Sequence, residues 1–147
     1  YDPYIKPEAV KDFGVTLVSR EELLAQSDFI SMHLLLNEDT RKSINADFFK
    51  KMKKSAIFIN TGRGGLVDEE ALIEALRTGE IAGAGLDVLT AEGIDKDAPL
   101  QKFDNVIITP HAAWYSEEAF NTLLTSAAQE VVRALHGEPV KNQVNKF

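Results

Sequence analysis

Short apolar, β-branched runs alternate along this chain with segments in which apolar residues return every three or four positions. The runs that read as strands are VTLV (15–18), FISMHLLL (29–36), AIFINT (56–61), IAGAGLDV (81–88) and NVIITP (105–110). Their shortness and residue types suit a pleated, largely buried surface, whereas the three-to-four spacing between them is that of helices with one face turned inward. Strands alternating with helices predict a parallel sheet with crossover helices, an α/β doubly wound architecture.

The helix boundaries are marked by their caps. Ser19 and Glu22 form a capping box ahead of Leu23 and Leu24. Asn45 caps a short helix through Phe48, Phe49 and Met52, and Lys50, Lys51, Lys53 and Lys54 complement the negative end of its dipole. Asp68, Glu69 and Glu70 open a helix whose Leu72, Ala75 and Leu76 share a face, and Gly79 stops it. The longest helix runs from about Ser116 to His136, with Phe120, Leu123, Leu124, Ala127, Val131 and Leu135 predicting one buried face, and Gly137 ends it. A polar insertion, AEGIDKDAP, follows the fourth strand at its carboxyl end, where open α/β sheets bind ligands.

Composition narrows the function. At 147 residues and 44% hydrophobic content the chain has room for one domain with a sizeable core. A net charge of −7 argues against a nucleic-acid partner, because phosphate binding needs clustered cations. Without cysteine there is no disulfide framework and no thiolate chemistry, and the three histidines are too scattered for a zinc site. No run approaches the roughly 18 apolar residues of a membrane span, so no membrane partner and a cytoplasmic location are expected.

FINTGRGGLVDEEAL (58–72) passes from a strand through a Gly-rich turn into a helix, as a phosphate-binding loop would. Yet GRGGLV and GAGLDV each carry only the first two glycines of G-x-G-x-x-G, with valine at the third place, and GAGLDV runs along a strand. Neither reads as a phosphate cradle. In the same turn Arg63, flanked by Gly62, Gly64 and Gly65, has a guanidinium fork free to meet a carboxylate in bidentate fashion, or is a surface turn residue. His111 follows the last strand, placed either as a proton donor near neutrality or as a polar loop residue. Glu92 and Asp87 read equally as functional carboxylates and as a loop acid and a turn cap. His33, in an apolar strand, suits a hydrogen-bonded structural role, and His136 a helix C-terminus. Trp114 and Tyr115 fit packing better than stacking on a ligand.

Taken together and in order, INTGRGGLVDEEAL, AGLDV and NVIITPHAAW resemble the D-isomer-specific 2-hydroxyacid dehydrogenases over essentially the whole chain. HAAWYSEEA is further similar to the subgroup containing the C-terminal-binding-protein co-repressors, so an NADH-sensing interaction protein is the alternative to an enzyme. The resemblance implies NAD as cofactor and a small 2-oxo or 2-hydroxy acid as substrate. It assigns the chain to the C-terminal part of a Rossmann-like dinucleotide-binding domain, incomplete because the first βαβ element with its Gly-rich loop is missing. Residues 112–147 then lead back towards an absent substrate domain; the intact protein is expected to be a homodimer and the isolated chain inactive.

The same resemblance implies roles for particular residues. Arg63 grips the substrate carboxylate and carbonyl, His111 transfers the proton, and Glu92 supports and orients the histidine. Asp2, in YDPY, is the acid that hydrogen-bonds the adenosine ribose and favours NAD over NADP. Thr61 and Gly62 line the nicotinamide side, Asp87 accepts from the carboxamide, and Leu34, Leu35 and Thr40 contact the cofactor. The chain departs from the family pattern at Leu35 and Gly93, where proline is usual, and at Thr90, where glutamate is frequent.

Overall fold

The computed structural model describes residues 1–91 and 98–145. The chain forms two compact units, Tyr1–His111 and Ala112–Phe147.

In the first unit, β1 (Phe29–Met32), β2 (Ile57–Asn60), β3 (Gly83–Leu86) and β4 (Val106–Ile108) make a parallel sheet in the order β1-β2-β3-β4. The register aligns Met32, Asn60, Leu86 and Ile108 across the four strands. Consecutive strands always step in one direction, so right-handed crossovers bring their connecting helices to one face. That face carries Ile30, Met32, Phe58, Asn60, Ala84 and Leu86, all buried. The alternate positions point the other way, where Phe29 remains 69% and Ile107 72% exposed.

The helices follow from their caps and apolar stripes. In α1 (Arg20–Gln26) both halves of the Ser19–Glu22 capping box are made, and the Ser19 hydroxyl, then its N–H, hold the Glu22 carboxyl below the usual carboxylate range. Asn45 accepts from the N–H groups of Asp47 and Phe48 at the start of α2 (Ala46–Lys50). The helix delivers Phe48 and Phe49 to Phe58 of β2, and the three rings meet edge to face with centroids 5.4–6.1 Å apart. α3 (Glu69–Thr78) buries Leu72, Ala75 and Leu76 and stops at Gly79, whose φ of 70° is the left-handed conformation that favours glycine.

Several expectations need correction. VTLV (15–18) forms no strand: it has no neighbouring strand to pair with, and Val15 is exposed. The remaining strands keep their places but are shorter, because each ladder ends where its partner leaves the sheet. Asp68 occupies the N-cap of α3 without a side-chain cap bond; its N–H donates instead to the Ile44 carbonyl, part of a bridge pairing Ile44 with Val67.

The second unit consists chiefly of α4 (Glu117–Leu135), capped by the Ser116 hydroxyl on the Ala119 N–H. The expected buried face is not buried: no α4 residue is, and Leu135 is 80% exposed. A single helix with short flanks offers its own apolar stripe no opposing element. Within this unit Trp114, Tyr115 and Phe120 pack ring against ring, with centroids 5.6 and 5.8 Å apart. Among the described residues no helix is long and apolar enough to cross a membrane.

Candidate functional site

The parallel register lines up the carboxyl ends of β2, β3 and β4. One residue past the aligned Asn60, Leu86 and Ile108 come Thr61, Asp87 and Thr109. Backbone bonds continue the alignment into the loops: Asp87 N–H donates to the Asn60 carbonyl at 2.9 Å, Thr109 N–H to Leu86 at 2.9 Å, and His111 N–H to Asp87 at 3.0 Å. Three loops are thereby tied side by side at the sheet edge where open α/β sheets bind ligands.

Between them lies a cleft of about 650 Å³ lined by Arg63, Gly64, Asp87, Val88, Leu89, Ala91, Ile108, Thr109, Pro110 and His111. Apolar walls with a few convergent polar groups are the usual makeup of a small-molecule site. Arg63, Asp87 and His111, separated by many residues in sequence, share these walls.

Each of the three is held differently. Asp87 is 5% exposed, and one carboxylate oxygen accepts from the Thr109 hydroxyl at 2.5 Å. His111 has φ of 55°, a conformation that disfavours a residue with a Cβ by roughly 1–2 kcal/mol. Its N–H, shared between the carbonyls of Asp87 and Thr109, holds that backbone in its strained position, as functional residues often are held. Arg63 is extended and exposed, with Nη1 donating to the Gly62 carbonyl at 2.8 Å.

The glycines around Arg63 have other tasks than leaving its fork free. A Cβ on Gly64 would collide with the Leu89 carbonyl and come within 2.6 Å of the Thr90 nitrogen, so the loop after β3 crosses directly over it. A Cβ on Gly65 would meet Leu36, and one on Gly62 the Met32 carbonyl at 3.3 Å. Two polar residues that sequence reasoning passed over complete the frame. Thr109 orients Asp87, and Asn60, 1% exposed, bonds both Gly62 and Arg63. The signal for Asn60 was a polar side chain at an inward position of an apolar strand.

The other expected site residues lie elsewhere. Thr61 and Gly62 are in the arginine loop but do not line the cleft. Asp2 accepts from the N–H groups of Tyr4 and Ile5 in a turn. The Thr40 hydroxyl donates to the Leu35 carbonyl at 2.6 Å and accepts from Asn37 N–H, bracing the loop in which Leu34 and Leu35 are exposed. None of these four lines the cleft. Glu92 lies outside the described residues, beyond the Leu89–Thr90 segment that crosses Gly64. His33, exposed just past the end of β1, pairs with the Ser31 hydroxyl at 3.0 Å, and His136 is the C-cap of α4. Among the described residues no cluster of side chains could hold a metal ion.

Known proteins match both the sequence and the fold. Residues 1–113 match the family described as D-isomer specific 2-hydroxyacid dehydrogenase, NAD binding domain. Over 146 residues the chain is 42% identical to a glyoxylate reductase of Korarchaeum cryptofilum, covering 99% of this chain and 44% of that protein. It is 45% identical to a D-3-phosphoglycerate dehydrogenase of Methanocaldococcus jannaschii, covering 99% of this chain and 28% of the relative. The NAD-complexed D-isomer specific 2-hydroxyacid dehydrogenase of Lactobacillus delbrueckii ssp. bulgaricus superposes with a TM-score of 0.87 at 35% identity, over 98% of this chain and 47% of the other. The chain thus spans less than half the length of these relatives, and its residues 1–113 match their NAD-binding domain: it belongs to the D-isomer specific 2-hydroxyacid dehydrogenase family.

Proposed function

We propose that the protein carrying this chain interconverts a small 2-oxo acid and the corresponding D-2-hydroxy acid with NAD(H). The observation that carries the reading is the sharing of one cleft by a guanidinium, a buried carboxylate and an imidazole at the carboxyl ends of adjacent parallel strands.

The cleft suits the nicotinamide end of the cofactor. Val88, Leu89, Ile108 and Pro110 offer apolar walls to a flat ring, and Asp87, steadied by Thr109, is placed to accept from its carboxamide. When bound, NADH supplies the hydride. Thr61 and Gly62 line the nicotinamide side, and Leu34, Leu35, Thr40 and Asp2 contact the cofactor, with Asp2 on the adenosine ribose.

Arg63 binds the substrate carboxylate through its planar fork and fixes the 2-oxo group in the cleft. As the 2-oxo carbon is reduced, its oxygen gathers negative charge, and a His111 ring nitrogen donates the proton that completes the hydroxyl. In the opposite direction the same nitrogen removes the hydroxyl proton. Glu92 stabilises the protonated ring and sets its orientation. In this reading the intact protein is a cytoplasmic homodimer without nucleic-acid or membrane partners, and residues 112–147 lead back towards a substrate domain.

His111→Ala in the full-length protein tests the assignment. Turnover of glyoxylate, hydroxypyruvate or pyruvate should be nearly abolished while NADH still binds. Wild-type turnover in that variant rejects His111 as the proton donor, and wild-type protein inert towards all three acids favours an NADH-sensing role.

A further inference from the structure

We infer that Asn60 is a positioning residue for Arg63, holding the arginine loop in the shape that substrate binding requires. The inference rests on the reading of Arg63 as the anchor for the 2-oxo acid carboxylate.

Asn60 is the last residue of β2 and faces the packed side of the sheet, on the same side as Phe58. A polar side chain 1% exposed among apolar neighbours is unfavourable unless both ends of its amide are satisfied. Here both are satisfied by one short stretch: Oδ1 accepts from Gly62 N–H at 3.1 Å, and Nδ2 donates to the Arg63 carbonyl at 3.0 Å. The partners define the orientation of the amide, because an N–H requires an acceptor and a carbonyl a donor. Aspartate could not donate to Arg63, leucine could do neither, and glutamine is one methylene too long for the same span.

The side chain therefore closes a small ring around residues 60–63 and fixes the backbone from which the guanidinium projects. The Asn60 backbone carbonyl accepts Asp87 N–H at 2.9 Å, so one residue joins the arginine loop to the strand end bearing the buried carboxylate. From above, the Leu89–Thr90 peptide presses on Gly64, leaving the loop little room to relax sideways. Arg63 itself is exposed and its Nη1 bond is to its own loop. The order of the loop comes mainly from these two constraints, one a hydrogen-bonded amide and the other a close backbone contact.

The test uses the full-length protein and a double-mutant cycle. Asn60→Leu keeps the volume and removes both bonds; the KM for the 2-oxo acid should rise by about tenfold to a hundredfold, the scale of a 1 Å misplacement. In an Arg63→Ala background the same substitution should add almost nothing to KM, because its effect passes through Arg63. Asn60→Ser, which retains an acceptor for Gly62 N–H, should fall between wild type and Asn60→Leu, and it carries the test if the leucine variant does not fold. An unchanged KM in a folded Asn60 variant overturns the inference, as does an equal further loss in the Arg63→Ala background. If Arg63→Ala alone leaves KM unmoved, the reading of Arg63 fails instead, and the two failures are distinguishable.

Discussion

Gly64→Ala isolates the close contact on which the shape of the site depends. The added methyl would overlap the Leu89 carbonyl and sit 2.6 Å from the Thr90 nitrogen, so the Leu89–Thr90 peptide must retreat. Normal contact requires a shift of roughly 1 Å, and forcing backbone apart in a packed region costs about 1–3 kcal/mol. Against this, alanine restricts the unfolded chain and returns about 0.4–1 kcal/mol, since Gly64 is not in the left-handed region. The net loss is about 1–2 kcal/mol, which at roughly 2–4 °C per kcal/mol for chains of about 150 residues lowers the melting temperature by about 2–8 °C. Thermal unfolding followed by circular dichroism measures it. Because Gly64 and Leu89 both line the cleft, the full-length variant should also show a raised KM for the 2-oxo acid. Gly85→Ala is the control: its methyl would meet only Ile59 Cγ1 at 3.9 Å, so melting should stay level or rise. A Gly64→Ala chain as stable as wild type would refute the contact.

The other expectations concern separate parts of the molecule. Asn45→Ala removes the acceptor for Asp47 and Phe48 N–H and should destabilise the chain by about 1 kcal/mol in denaturant titration; no loss would contradict the cap. The Glu22 carboxyl titrates below the usual carboxylate range in the folded chain, first because of the Ser19 hydroxyl and then its N–H. Its contribution is therefore complete above the unfolded carboxylate pKa and is lost as pH falls through the lowered folded value. Ser19→Ala should move the Glu22 titration upward in carbon-13 NMR, and an unmoved titration would count against the capping box. Thr109→Val removes the hydroxyl from Asp87 and should weaken NADH binding by about tenfold, the loss of one charge-assisted bond, while sparing the KM for the 2-oxo acid. Equal effects on both would make Thr109 a general support rather than a support for Asp87.

Elements with self-contained signals were legible in the sequence. Ser19 with Glu22, Asn45 ahead of two phenylalanines, and Gly79 after an apolar stripe each specify a boundary through contacts a few residues away. The grouping of Arg63, Asp87 and His111 came from the family resemblance alone, because the register that ends β2, β3 and β4 side by side is set by pairing that no single run displays. What failed depended on partners that sequence does not number. Val15 to Val18 has the residues of a strand but no ladder to join, and the α4 stripe has no opposing element in its own unit. Asp68 looked like a side-chain cap, yet its backbone is engaged with Ile44 from a different loop. Gly64 was read for the freedom that it gives Arg63, whereas its need for a bare Cα comes from Leu89, 25 residues away by numbering. Asn60 escaped notice because its bonds lie beyond the end of an otherwise apolar strand.

The central claim is that one cleft brings a 2-oxo acid to Arg63 and His111. A crystal structure of the full-length protein with NADH and oxamate, an unreactive 2-oxo acid analogue, tests it most directly. The account predicts the oxamate carboxylate in a bidentate pair with Arg63, its carbonyl oxygen within hydrogen-bond reach of the His111 ring, and the nicotinamide carboxamide on Asp87. Oxamate bound away from Arg63 and His111, or a nicotinamide ring outside the cleft, would contradict it.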